Sequence, residues 1–188
     1  MRATPAPDPL VLLAGGPGQS AVESYVATEG AYALIRRTRD ILLIDQRGTG
    51  RSARLDCSEL EDSELEAKPS NAAIRDAVKR CLDELPHNPK FFTTSVAVRD
   101  LERVRRALGV PRWNLYGISY GTRVAAHYLR RYPEAVRVAI LDGVVGVDRV
   151  LGPDIAERSQ QTLDALFARC RSERACHERF GDPSAILD

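Results

Sequence analysis

The sequence predicts a three-layer α/β fold on a mostly parallel sheet. Three observations carry this: four short apolar runs closed by turn residues, helix-period patterns between them, and a Gly-x-Ser-x-Gly turn where the third run meets a helix. The first run, residues 10–14, ends in Gly15-Gly16-Pro17-Gly18. A continuous apolar run this short suits a strand buried on both faces, as parallel strands are. A helix is predicted over 21–37, then a second strand over 41–44, closed by Asp45-Gln46-Arg47-Gly48-Thr49-Gly50. Residues 52–88 read as a surface excursion, acidic at first and interrupted by Pro69 and Pro86, with helix around 71–85. Thr94 is the predicted N-cap of a helix running to about Leu108, ended by Gly109 and Pro111. Val98, Leu101, Val104 and Leu108 would form its apolar face. The third strand, 113–116, leads into Gly117-Ile118-Ser119-Tyr120-Gly121, with a helix to about 131. A fourth strand over 138–141 ends at Asp142-Gly143, and 154–180 reads as helical. Strands alternating with helices call for right-handed crossovers and a parallel sheet.

Composition narrows the function classes. The 188 residues are 44% hydrophobic and 28% charged, ordinary for a globular domain. The net charge of +1 gives no reason to expect nucleic acid or an anionic membrane as a partner. No run approaches the ~18 apolar residues of a membrane span, and residues 1–9 lack the apolar segment of a signal peptide. Basic residues are mostly Arg, and pairs such as Arg36-Arg37 and Arg130-Arg131 suit helix C-termini. The cysteines Cys57, Cys81, Cys170 and Cys176 lack zinc-site spacing. They permit disulfides in three connectivities, and buried free thiols are the alternative. No metal or cofactor is implied.

The chemistry concentrates in three loops. A serine nucleophile must stand clear of the sheet on a tight turn, with small residues two before and two after it, as Gly117 and Gly121 flank Ser119. The helix that follows turns its positive end toward the turn, and the Tyr120 N–H can face a developing oxyanion. Gly16, with Gly15 as the alternative, would supply a second oxyanion N–H from the loop after the first strand, where glycine lets backbone approach a carbonyl. A dinucleotide site competes for the same loop, since residues 16–21 fit G-x-G-x-x-A. Pro17 has no N–H to offer a phosphate, and Asp45 lies beyond the usual spacing of ~20 residues. In the third loop, Asp45 and Arg47 are expected to fix the backbone beside the site, and Asp142 to do the same after the fourth strand.

Taken together, GGPGQS, DQRGTGRS, GISYGTR and LDG resemble the proline iminopeptidase and tripeptidyl aminopeptidase branch of the α/β-hydrolases, in the same order along nearly the whole chain. The resemblance implies Ser119 as nucleophile, Gly16 and Tyr120 as oxyanion donors, and hydrolysis at the amino end of peptides. An esterase or another small-acyl hydrolase is the nearest alternative, and a non-catalytic binding module of the same fold a third. One departure is Ala14 before the glycines, where many iminopeptidases carry His. Secreted members of that branch have cysteines at similar places, which implies an extracellular or periplasmic protein, with a cytoplasmic one as alternative.

The resemblance also sets domain limits: residues 1–146 as the N-terminal part of the core, with an excursion at 53–92, and 147–188 as the start of a helical cap. The triad of this fold runs Ser, acid, His. His87 precedes Ser119, His127 lies about 12 Å of helix rise away, and His177 adjoins Cys176. The acid and base are therefore expected beyond Asp188, along with the C-terminal strands and most of the cap. The chain alone is expected to be nearly inactive, and its open edge at 138–141 prone to self-association.

Overall fold

A computed structural model describes residues 5–57, 70–150 and 152–187. The acidic part of the excursion, 58–69, and the first four residues of the Pro-rich opening lie outside them. Tertiary packing divides the chain into two units, 1–147 and 148–188.

In the first unit, β1 (Leu10–Leu13), β2 (Ile41–Leu43), β3 (Trp113–Ile118) and β4 (Val136–Asp142) form an all-parallel sheet in the order β2-β1-β3-β4. Because successive strand residues point to opposite faces, β1 serves two cores at once. Val11 and Leu13 join Trp113, Leu115 and Val98, Leu101, Val124, Ala125 and Tyr128 from helices α3 (Thr94–Ala107) and α4 (Tyr120–Arg131). Leu10 and Leu12 face the other way, against Tyr25, Tyr32 and Ile35. This is the three-layer arrangement the alternating elements predict. The β1–β2 connection, carrying helix α1 (Ala21–Thr28), covers one face, and α3 and α4 cover the other.

Several elements differ from expectation. The helix predicted over 21–37 stops at Thr28, which leaves helical geometry (φ −128°, ψ 19°), and the chain continues as short 3₁₀ turns at Glu29–Tyr32 and Ile35–Arg37. β-Branched Thr28 and, two residues on, Gly30 are both weak helix formers. Ser20 caps α1, accepting from the Glu23 N–H at 3.1 Å. Thr94 is not the N-cap of α3 but its first residue; Thr93 holds the cap position and makes no side-chain cap. The apolar stripe of α3 holds at Val98 and Leu101 but fails at Leu108, the C-cap residue, which is 56% exposed. Helix α2 (Asn71–Glu84) is capped by Ser70. The edge strand β4 leaves Val138, Ile140 and Leu141 exposed.

The second unit contains α5 (Ile155–Ser172), α6 (Arg174–Phe180) and α7 (Ser184–Leu187). The predicted run over 154–180 is thus two helices, interrupted at Glu173, whose backbone is extended. Cys170 and Cys176 are disulfide-bonded across that break, and Cys57 with Cys81 in the first unit, leaving no free cysteine among the described residues. No helix of the described residues is long and apolar enough to cross a membrane.

Candidate active site

The strand order creates a crevice before any side chain is considered. From β1 the chain moves outward to β2 and then returns past β1 to β3, with helices on opposite faces, so the turns after β1 and β3 diverge at the carboxyl ends of neighbouring strands. Such switch points are where open α/β sheets bind ligands. The glycine loop 15–18 follows β1 and Ser119 follows β3.

Ser119 sits at the junction of β3 and α4 with φ 53° and ψ −118°, one of two non-glycine residues with positive φ among those described. Backbone in such a region costs on the order of 1–3 kcal/mol and persists only where its surroundings enforce it. The enforcement here is identifiable. A Cβ on Gly117 would strike the Gly121 backbone, and one on Gly121 would strike the Leu13 carbonyl, so the two glycines let α4 begin directly against β1 and β3. The Ser119 N–H donates to the Asp142 carbonyl at 2.8 Å, and its own carbonyl accepts from the Thr122 hydroxyl at 2.6 Å. The Val145 N–H in turn donates to Thr122 Oγ1 at 2.9 Å. The Ser119 side chain is half-buried, and its hydroxyl makes no hydrogen bond among the described residues.

The glycine loop lies against this turn. A Cβ on Gly15 would fall 3.2 Å from Ser119 Cβ, and Gly16 has φ 101°, open to glycine. Neither the Gly16 N–H nor that of Tyr120, the first residue of α4, has a hydrogen-bond acceptor among the described residues. The Tyr120 ring is held by a 2.7 Å hydrogen bond between its hydroxyl and Thr94 Oγ1.

Asp45 closes the opposite loop. Its carboxylate accepts from the Ser20 hydroxyl (2.8 Å) and the Val22 and Arg51 N–H groups (both 3.3 Å), joining the loop after β2 to the start of α1. Partial burial raises its pKa, but these donors outweigh burial and hold it below the ordinary carboxylate value. Arg47 donates to Asp100 on α3 at 2.6 Å and to the Phe91 carbonyl at 3.1 Å, with its guanidinium over the Phe92 ring. Asp142 accepts from the Tyr116 hydroxyl at 2.6 Å, and that bond pushes the phenol up to about 12.

No histidine bonds Ser119 among the described residues. His87 neighbours Phe92, with ring centroids 6.1 Å apart. His127 lies on α4 with Nε2 buried and unpartnered, its pKa lowered by burial and then by Arg130 and Arg131. His177, in the second unit, contacts its own Gly181 carbonyl at 3.1 Å. No group of three His, Cys, Asp or Glu among the described residues forms a metal site.

A family model described as the alpha/beta hydrolase fold matches residues 8–169, taking in all four strands and both site loops. The chain belongs to the α/β-hydrolase family. Among its relatives is a serine protease of Mycobacterium tuberculosis, 31% identical over 151 residues, covering 72% of this chain and 29% of the relative. A tripeptidyl aminopeptidase of Streptomyces coelicolor is 30% identical over 155 residues, covering 74% and 29%. Among solved structures, a proline iminopeptidase-related protein of Thermus thermophilus is 31% identical with a TM-score of 0.48, covering 73% of this chain and 38% of that one. The resemblance drawn from the four motifs is borne out. The chain spans about a third of the length of the curated relatives it matches.

The contacts that hold Ser119 and Tyr120, from Thr122 and Thr94, escaped the sequence reading, as did the Tyr116–Asp142 bond. Thr122 adjoins the elbow motif and could have been suspected from position alone; Thr94 and Tyr116 carry no local signal.

Proposed function

We propose that this α/β-hydrolase acts as a serine hydrolase that removes residues or tripeptides from the amino end of peptides. The observation that carries the reading is the strained Ser119 backbone at the β3–α4 junction, beside a glycine loop and at a topological switch point. A positive-φ serine fixed between two sterically required glycines is the arrangement a protruding nucleophile needs. In this reading, Ser119 Oγ attacks the scissile carbonyl carbon and its proton passes to a base. The negative charge moves to the carbonyl oxygen, facing the Gly16 and Tyr120 N–H groups. Collapse expels the amine, which takes up the proton, and water then hydrolyses the acyl-enzyme. Unpartnered N–H groups suit such a role because they need no reorganisation when charge develops.

In this reading the base and acid are residues other than the described ones, and the matched stretch is only about a third of the curated relatives' length. The peptidase names of relatives near 30% identity favour peptides over esters. Two disulfides and a family resemblance to secreted members favour an extracellular or periplasmic protein. Turnover of N-terminally free tripeptide and prolyl anilides by the full-length protein, compared with matched esters, tests the reading. Serine-dependent peptide cleavage with free amino ends preferred is expected; cleavage of esters alone would replace the peptidase with an esterase.

A further inference from the structure

An all-parallel sheet gives the first unit two poles of different chemistry. Ser119 and the glycine loop lie at the carboxyl ends of the strands, so the connections that enter the amino ends gather at the opposite pole. There the turn Ile35–Arg37 runs into β2, α3 into β3, and α4, through Pro133–Ala135, into β4. The last turn of each of these three segments holds two adjacent arginines. Arg37, Arg112, Arg130 and Arg131 are exposed and have no carboxylate partner among the described residues. The carboxylates here are fewer and partly engaged. Asp8 is held by Arg39 at 3.1 Å and Arg137 at 2.5 Å, and Glu102 by Arg105 and Arg106, while Asp40 and Glu134 stay at the surface. The net charge of +1 averages over this polarity, because residues 56–66 alone hold six carboxylates.

Helix ends account for only part of this charge. A helix C-terminus carries about half a negative charge, so Arg130 and Arg131 exceed what the end of α4 can compensate. A second feature shares the pole. Leu34, at the start of the Ile35–Arg37 turn, Leu108, at the C-cap of α3, and Leu129, in the last turn of α4, are 75%, 56% and 40% exposed. Single exposed leucines are ordinary, but leucines interleaved with arginines at one pole match a surface that lies in the headgroup layer of a membrane. We propose that this arginine–leucine pole docks the protein on an anionic phospholipid membrane. The arginines would meet headgroup phosphates and the leucines the outer acyl chains. Docking by this pole leaves the carboxyl ends of the strands, with Ser119, pointing away from the lipid. Nucleic acid is the other polyanion such a surface could meet. Leucines offer a base nothing to stack on, and two disulfides favour a compartment outside the cytosol. The surface is set by the direction of the sheet and stands whether or not Ser119 is a nucleophile.

The test is co-sedimentation of the full-length protein with vesicles of phosphatidylcholine, alone or with about a third of phosphatidylglycerol. Binding to the anionic vesicles only is expected. Raising the salt from about 0.1 M to about 1 M should release most of the protein, because the screening length falls from about 10 Å to about 3 Å. Arg130→Gln combined with Arg131→Gln should weaken binding roughly 30-fold, from about fivefold per arginine at an anionic surface. Leu108→Gln, at an exposed position, should weaken it about fivefold without a charge change. The same charge change made in the second unit, Arg169→Gln with Arg174→Gln at two exposed sites, should leave binding within about twofold. Equal binding to phosphatidylcholine alone, an equal loss from the second-unit pair, or no vesicle binding would each overturn the proposal. Retention of a nucleic-acid duplex together with no vesicle binding would overturn it in favour of nucleic acid.

Discussion

Replacing Glu102 with Gln perturbs the joint between α3 and the helix that carries the Ser119 turn. Glu102 is 5% exposed, and its two oxygens accept four hydrogen bonds: Arg105 at 2.7 and 2.8 Å, Arg106 at 2.6 Å and the Tyr128 hydroxyl of α4 at 2.6 Å. Arg105 above all, then Tyr128 and Arg106, hold the carboxyl down to about 2 against the opposing effect of burial, from an ordinary 4.5. A carboxylate depressed by folding stabilises the protein above its unfolded value, and that stability is lost as pH falls through the folded one. The interval from 4.5 to about 2 corresponds to about 3 kcal/mol at neutral pH, the whole of it present above pH 5 and less than half at pH 3. Glu102→Gln should therefore lower the urea-derived unfolding free energy by about 2–3 kcal/mol at pH 7, since the amide keeps one acceptor. The gap to the unsubstituted protein should close steadily between pH 5 and pH 3. A loss that is the same at pH 7 and pH 3, or no loss at pH 7, would refute the argument.

Gly121→Ala should destabilise by about 1–3 kcal/mol in the same assay, because the added Cβ meets the Leu13 carbonyl and backbone cannot swing aside, although Ala is the better helix former by about 1 kcal/mol. Gly30→Ala, with open space around it, should change stability by less than ~1 kcal/mol. Ser119→Gly should abolish turnover while raising stability by about 1 kcal/mol, as strain at φ 53° is relieved; a loss of stability would show the turn to be unstrained. Asp142→Asn removes the main cause of the raised Tyr116 phenol, so its ultraviolet titration midpoint should fall from about 12 toward 10. An unmoved midpoint would show that Asp142 does not govern it.

The fold was legible wherever one segment carries its own instruction. Strands β1 and β3 announce themselves because burial on both faces leaves Leu10–Leu13 no room for polar residues. The elbow is legible because only glycine fits where α4 meets β3 and β1, so Gly117 and Gly121 had to appear at that spacing. What was not legible arises from residues distant in sequence. Glu102 sits in an Arg-rich helical stretch with no local signal of burial; its partner Tyr128 lies 26 residues later. Thr94 looks like a cap, yet its hydroxyl bonds Tyr120 across the same separation. Leu108 keeps the helical period but falls at the C-cap, after the last helical residue, and is exposed. The end of α1 at Thr28 was written in Thr28 and Gly30, and was overridden in the prediction by the apolar residues that follow.

Mass mapping of a fluorophosphonate adduct on the full-length protein tests the central claim most directly. The account predicts one modified peptide containing residues 117–121, with the adduct on Ser119 and lost in Ser119→Ala. An adduct on a different serine of a protein that is turning over substrate would contradict it.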